Sequence, residues 1–219
     1  MTLLMNNSYY PRFKNNKKKF LVYYPCKKNA NSSAKLFFIR HIGFEEKVYF
    51  IEDDVPRYKK NLYFQKKIQF KEKINLIKIF PNTQKFQKVE TDLKCCITRD
   101  PFKRFISAYK NRILFHKDEK FNNLSVDEII EKLECGLFEN SHFLPQSFFL
   151  GNNLDYFNIV ADVENINLFE KKINNFFGND IKFPQIQKGG NEFNLKLNIT
   201  QIKKVNKIYE KDIELLKLL

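Results

Sequence analysis

Hydrophobic and polar positions alternate along the chain in blocks of strand length and helix length. Residues 18–25 contain the unbroken apolar run Phe20-Leu21-Val22-Tyr23-Tyr24, as expected of a strand buried on both faces. A small polar stretch over residues 26–33 follows, and then a helical run over 34–41. Further strand-length runs fall at residues 47–51, 92–98 and 156–160. Helical spacing marks residues 101–116, where Asp100 stands as cap and Pro101 as first residue. Ser125, with Asp127 and Glu128 behind it, opens another helix that ends near Gly136. Residues 166–177 form a helix stopped by Gly178, and residues 199–218 a long final one. Residues 57–91 alternate lysine with aromatic and aliphatic side chains, which fits a hairpin and short helices equally well.

Strands separated by helices predict an α/β fold, a parallel sheet covered on both faces. No repeat and no linker divides the chain, so the reading is a loose basic arm over residues 1–17 and a single domain over 18–219. At 219 residues and 43% hydrophobic content, the chain can bury a core without metal or disulfide support. The net charge of +14 favours anionic partners, whether nucleotide, nucleic acid, anionic glycan or membrane surface. Cys26, Cys95, Cys96 and Cys135 lack the paired spacing of a zinc site. Neighbouring Cys95 and Cys96 point to opposite faces if they lie on a strand. Reduced thiols, no basic-then-apolar leader and no membrane-length apolar run together predict a soluble cytoplasmic protein, of bacterial type.

The candidate chemistry sits in two loops. Arg99-Asp100-Pro101 joins a strand to a helix start, where free backbone N–H groups and the helix dipole favour a phosphate. Arg99 adds a planar fork of donors and Ser107 a hydroxyl. After the first strand, Lys28 is followed by Asn31, Ser32 and Ser33, a cation with several short donors at another helix start. The chain has no G-x-x-x-x-G-K-[ST] run here, which argues against an ordinary triphosphate and magnesium site.

These two loops together resemble the cofactor signature of the sulfotransferases, in particular the group that includes carbohydrate sulfotransferases. Lys27-Lys28-Asn29-Ala30-Asn31-Ser32-Ser33 is similar to the family loop Pro-Lys-x-(Gly/Ala)-(Ser/Thr)-(Ser/Thr)-Ser, which grips the 5′-phosphosulfate of 3′-phosphoadenosine-5′-phosphosulfate (PAPS). Arg99, Asp100, Pro101, Arg104, Ser107 and Tyr109 match Arg-Asp-Pro-x-x-Arg-x-x-Ser-x-Tyr, which grips the 3′-phosphate. His142, Pro145 and Gln146 look like a His-x-x-Pro-Gln segment of some members, and Ile208-Tyr209-Glu210-Lys211-Asp212 like a frequent carboxy-terminal ending. Two departures stand out: Lys27 occupies the position of the family proline, and Asn31 that of a serine or threonine.

The resemblance implies a three-layer, P-loop-like sulfotransferase fold that uses PAPS without a metal and sulfates a hydroxyl of a carbohydrate or glycoconjugate. It implies cofactor contacts from Lys28, Asn29, Ala30, Asn31, Ser32, Ser33, Arg99 and Ser107, with Lys188 in a closing Lys-Gly-Gly turn. Lys28, favoured over Lys27, stabilises charge on the leaving phosphate. For the general base two places remain open: His142, or a carboxylate at the end of the second strand, Glu52 or Asp53. No nucleic-acid partner is expected on this reading. The competing readings are another nucleotide-dependent transferase or kinase, a basic nucleic-acid module, and an inactive sulfotransferase-like scaffold.

Overall fold

A computed structural model describes residues 10–43, 85–121, 123–185 and 193–217. At its centre lie four strands in the order β1 (Arg12–Lys14), β2 (Phe20–Tyr24), β3 (Leu93–Thr98) and β4 (Ile159–Asp162). β2, β3 and β4 run parallel, with Leu21 opposite Leu93 and Cys96 opposite Val160. β1 pairs antiparallel with β2 at the edge. Seven α-helices accompany the sheet among the described residues: α1 (Asn31–His41), α2 (Pro101–Tyr109), α3 (Val126–Glu134), α4 (Gln146–Leu150), α5 (Asn167–Phe177), α6 (Ile199–Ile208) and α7 (Glu210–Leu216).

Alternation along the strands divides the apolar residues between two faces. Leu21, Tyr23, Cys95 and Ile97 join Phe37, Phe38, Phe169 and Ile173 of α1 and α5 in one core. Val22, Tyr24 and Cys96 join Phe149, Leu150, Phe157 and Leu215 in another. Cys95 and Cys96 therefore do face opposite ways, and each is fully buried as a free thiol. A third cluster, led by Phe105, Tyr109, Ile130, Leu133 and Tyr209, packs α2, α3 and α6 together beyond the sheet.

Several elements depart from the pattern reading. The last part of the supposed loose arm is ordered: Phe13 is 1% exposed and stacks on Phe38 at 4.4 Å, and Asn15 closes the turn back to Lys19. One apolar residue among lysines was enough to seat an edge strand. β4 begins three residues later than expected because residues 154–156 curl into a 3-10 turn capped by Asn153. The helix expected over 101–116 changes at Lys110–Phe115 into a π-helical segment. The final helix is broken at Tyr209 into α6 and α7. The strand expected at 47–51 lies outside the described residues.

Candidate functional site

Parallel pairing of β2 with β3 brings their two following loops side by side at the carboxyl ends of the strands. Between Cys26 and α1, Lys28 and Ala30 both take the left-handed conformation, with φ of 69° and 52°. Such alternation turns successive backbone N–H groups inward, as in anion-binding nests. α1 then starts after its N-cap residue Ala30, whose side chain makes no capping hydrogen bond. On the other loop, Asp100 caps α2 through the Lys103 amide at 2.7 Å.

The loops are bolted to each other. Arg99 Nη1 donates to the Lys28 carbonyl at 3.1 Å, and Arg104 Nε donates to the Lys27 carbonyl at 3.0 Å. Asn29, fully buried, donates through Nδ2 to Ile97 O at 2.8 Å and to Gln146 Oε1 at 2.6 Å. Gln146 in turn accepts from the Arg99 amide at 3.0 Å and donates to the Arg99 carbonyl at 2.7 Å. The amide donors of Asn29 thus hold the loop in place, while its Oδ1 is buried with no partner among the described residues. Arg104 serves likewise: its Nη2 also donates to Leu144 O at 2.6 Å and His142 O at 3.4 Å.

Positive charge gathers here from Lys27, Lys28, Arg99, Arg104 and Arg112, with Asp118 paired to Arg112. Lys27 donates its ammonium to Ser141 Oγ, whereas the Lys28 ammonium has no hydrogen bond or ion pair to the described residues. Burial, aided by Arg99, Arg112 and Arg104, pulls the Lys28 pKa down to about 7. His142, across from these cations, is held at about 2 by burial and by Arg112, Lys27, Lys28 and Arg104. Its Nδ1 lies 2.8 Å from Asn140 Oδ1. Arg99 Nε and Arg104 Nη1 are buried with no partner among the described residues, donors of the kind a bound anion would satisfy. Asn31 Oδ1 is likewise unpartnered. Ser32 and Ser107 are half-buried, and Ser33 is buried at the start of α1.

Of the residues expected from sequence, Lys28, Ala30, Asn31, Ser32, Ser33, Arg99 and His142 belong to the two loops and the segment they grip. Ser107 lies farther along α2. Glu52, Asp53 and Lys188 lie outside the described residues. Pattern reading missed Asn140, which bonds His142, and Asp118 and Arg112, linked to it in turn. Only Asn140, two residues before the histidine, carried a local sequence signal.

Two loops lie side by side at the ends of adjacent parallel strands, with buried donors that have no partner among the described residues. The chain is a member of the sulfotransferase family, whose family model matches residues 11–218 and so nearly its whole length. Its chemistry is sulfuryl transfer. No curated protein and no solved structure matches it significantly. No helix among the described residues is long and apolar enough to cross a membrane.

Proposed function

We propose that the protein takes its sulfuryl group from PAPS and delivers it to a hydroxyl of a carbohydrate or glycoconjugate. When bound, that donor supplies a sulfuryl group on a phosphate leaving group and a second phosphate on the ribose. The donor set fits it: a half-buried ammonium and a guanidinium with a buried N–H that have no partner among the described residues, beside a helix start whose N-cap residue, Ala30, offers no side-chain cap. Lys28 and the first turn of α1 would hold the phosphosulfate, and Arg99 with Ser107 the 3′-phosphate. Arg99 also carries the single observation on which the reading rests, its 3.1 Å bond to the Lys28 carbonyl, which couples the two loops.

Lys28 is the group to stabilise negative charge on the leaving phosphate, worth roughly 100-fold to 1,000-fold in rate for a preorganised donor. His142 is the base that accepts the acceptor hydroxyl proton. The surrounding cations suppress its basicity, and an anion held against Lys28 and Arg99 offsets their field and restores it. The carbohydrate class follows from the likeness of the motif pair to carbohydrate sulfotransferases. Three buried free thiols and the exposed Cys135 suit a reducing compartment, and we assign the protein to the cytoplasm on that ground.

Calorimetric titration of adenosine 3′,5′-bisphosphate, AMP and ATP tests the donor assignment. The bisphosphate should bind best, and Arg99→Ala should remove that preference. Equal affinity of the unmodified protein for all three nucleotides would refute the assignment. A screen of glycan acceptors with labelled sulfate tests the acceptor class, and labelling confined to non-carbohydrate hydroxyls would overturn it.

A further inference from the structure

A chain of hydrogen bonds unconnected with the two loops ends on His142. Asn140 Oδ1 accepts the backbone N–H of His142 at 3.0 Å and lies 2.8 Å from the imidazole Nδ1 of the same residue. A backbone N–H can only donate, so the amide must present its oxygen here, and Nδ1 must carry the ring proton. In the neutral ring, Nε2 then keeps its lone pair.

The far side of Asn140 is secured as well. Its Nδ2 donates to Asp118 Oδ2 at 3.0 Å. Asp118 receives two bonds from one guanidinium, Arg112 Nε at 2.8 Å and Nη2 at 2.6 Å. The two side chains of this ion pair are only 12% and 10% exposed, so water screens it weakly. Arg112 lies in the π-helical segment Lys110–Phe115, and the Asp118 amide returns to the Arg112 carbonyl at 3.1 Å. The irregular turn thus brings both ends of the ion pair to Asn140. Flipping the amide would set its NH2 against the His142 N–H and its oxygen against the Asp118 carboxylate.

We propose that Asn140, anchored by the Asp118–Arg112 pair, is a positioning residue that fixes His142 in its Nδ1–H tautomer and keeps Nε2 free to take a proton. The proposal rests on the reading of His142 as base for its catalytic meaning, whereas the tautomer stands on the hydrogen bonds alone. In the transfer step the hydroxyl O–H bond breaks and its proton passes to Nε2. The oxygen–sulfur bond to the acceptor forms as that to the leaving phosphate breaks. The resulting imidazolium keeps its Nδ1 proton on Asn140.

Long-range proton–nitrogen NMR of the full chain, labelled at histidine, reads the tautomer directly. The unmodified protein should show a protonated Nδ1 and a bare Nε2. Asn140→Ala should lose that preference and reduce kcat ~10-fold to 100-fold, part of what a well-placed general base contributes, with KM for the donor unchanged. Asp118→Asn, nearly isosteric, should give a smaller change in the same direction and guards against an Asn140→Ala that does not fold. A protonated Nε2 in the unmodified protein overturns the proposal, and so does Asn140→Ala with tautomer and kcat intact. Absence of bisphosphate preference alongside the expected tautomer would count against the PAPS reading alone.

Discussion

Lys28 occupies a place that disfavours its own charge. With its pKa near 7, a substantial part of the population is neutral around neutral pH, and an anion must recharge it on binding. Bisphosphate binding at about pH 7.5 should therefore take up protons, measurable as a dependence of calorimetric enthalpy on the ionisation heat of the buffer. Affinity should weaken between about pH 7 and about pH 9, and Lys28→Met should abolish the uptake. The same substitution should lower kcat by roughly 100-fold to 1,000-fold. Lys27→Met should do much less to kcat, because the Lys27 ammonium is already given to Ser141. Sequence alone favoured Lys28 over Lys27. The structure supports that choice through the pinning of their carbonyls, Lys27 by Arg104 and Lys28 by Arg99, which sets the course of the backbone between them.

At the scale of elements, residues 142–147 are a segment clamped from three directions. Arg104 holds the His142 and Leu144 carbonyls, and the Tyr209 hydroxyl holds the Phe143 carbonyl at 2.6 Å. Asp212 accepts the Gln146 and Ser147 amides at 2.6 and 2.8 Å, capping α4 from α7. The scattered motifs are thus parts of one device: the second arginine of the 99–109 run, the Pro-Gln segment and the Tyr-x-x-Asp ending meet at His142. Arg104→Ala should destabilise the fold by about 2–4 kcal/mol, leaving several buried carbonyls unpaired beside a cavity. Arg104→Lys should recover little, since one ammonium cannot reproduce a guanidinium that spans both loops. Asp212→Asn should cost about 1–2 kcal/mol, because an amide offers one acceptor oxygen where the carboxylate serves two amides. Urea unfolding midpoints check all three.

Element positions were legible where local chemistry is strong. Ser125 and Glu128 make a reciprocal cap on α3, and Gly178 ends α5 at a φ of 76°. The break at Tyr209 was not legible, since both flanking runs are good helix formers and the break coincides with the distant Phe143 carbonyl. Nor was the π-helical segment, whose register meets Asp118 and Asn140 across a loop.

For the molecule as a whole, buried titratable groups bound the pH range in which it is stable. His142 and His41 are depressed to about 2 and about 4, chiefly by burial. Between the ordinary value of 6.5 and those values the unfolded chain binds protons that the fold refuses. Their stabilisation is therefore full above 6.5 and is lost as pH falls through the folded values. Burial acts oppositely on Cys26, raised to about 12, so the unfolded thiol ionises first and stability declines above its ordinary 9.0. Thermal unfolding followed across pH should peak between these limits. Adenosine 3′,5′-bisphosphate at about 100 times its Kd should add about 2.7 kcal/mol to stability, and Arg99→Ala should lower the gain at the same concentration.

What the amino-acid order determined by itself is the alternation of apolar strands with helices, the two loops of anion-binding composition, and hence the family. Those signals are local, written within a dozen residues by periodicity, capping and donor chemistry. The tertiary structure decided which donors remain uncommitted. The amide donors of Asn29 and the Nε and Nη2 donors of Arg104 go to carbonyls and to Gln146, while Arg104 Nη1 has no partner among the described residues and Lys28 keeps its ammonium. It also decided that the Asp118–Arg112 pair meets Asn140 beside His142. A hydrogen bond between distant segments depends on how the layers pack, and no spacing along the chain encodes it.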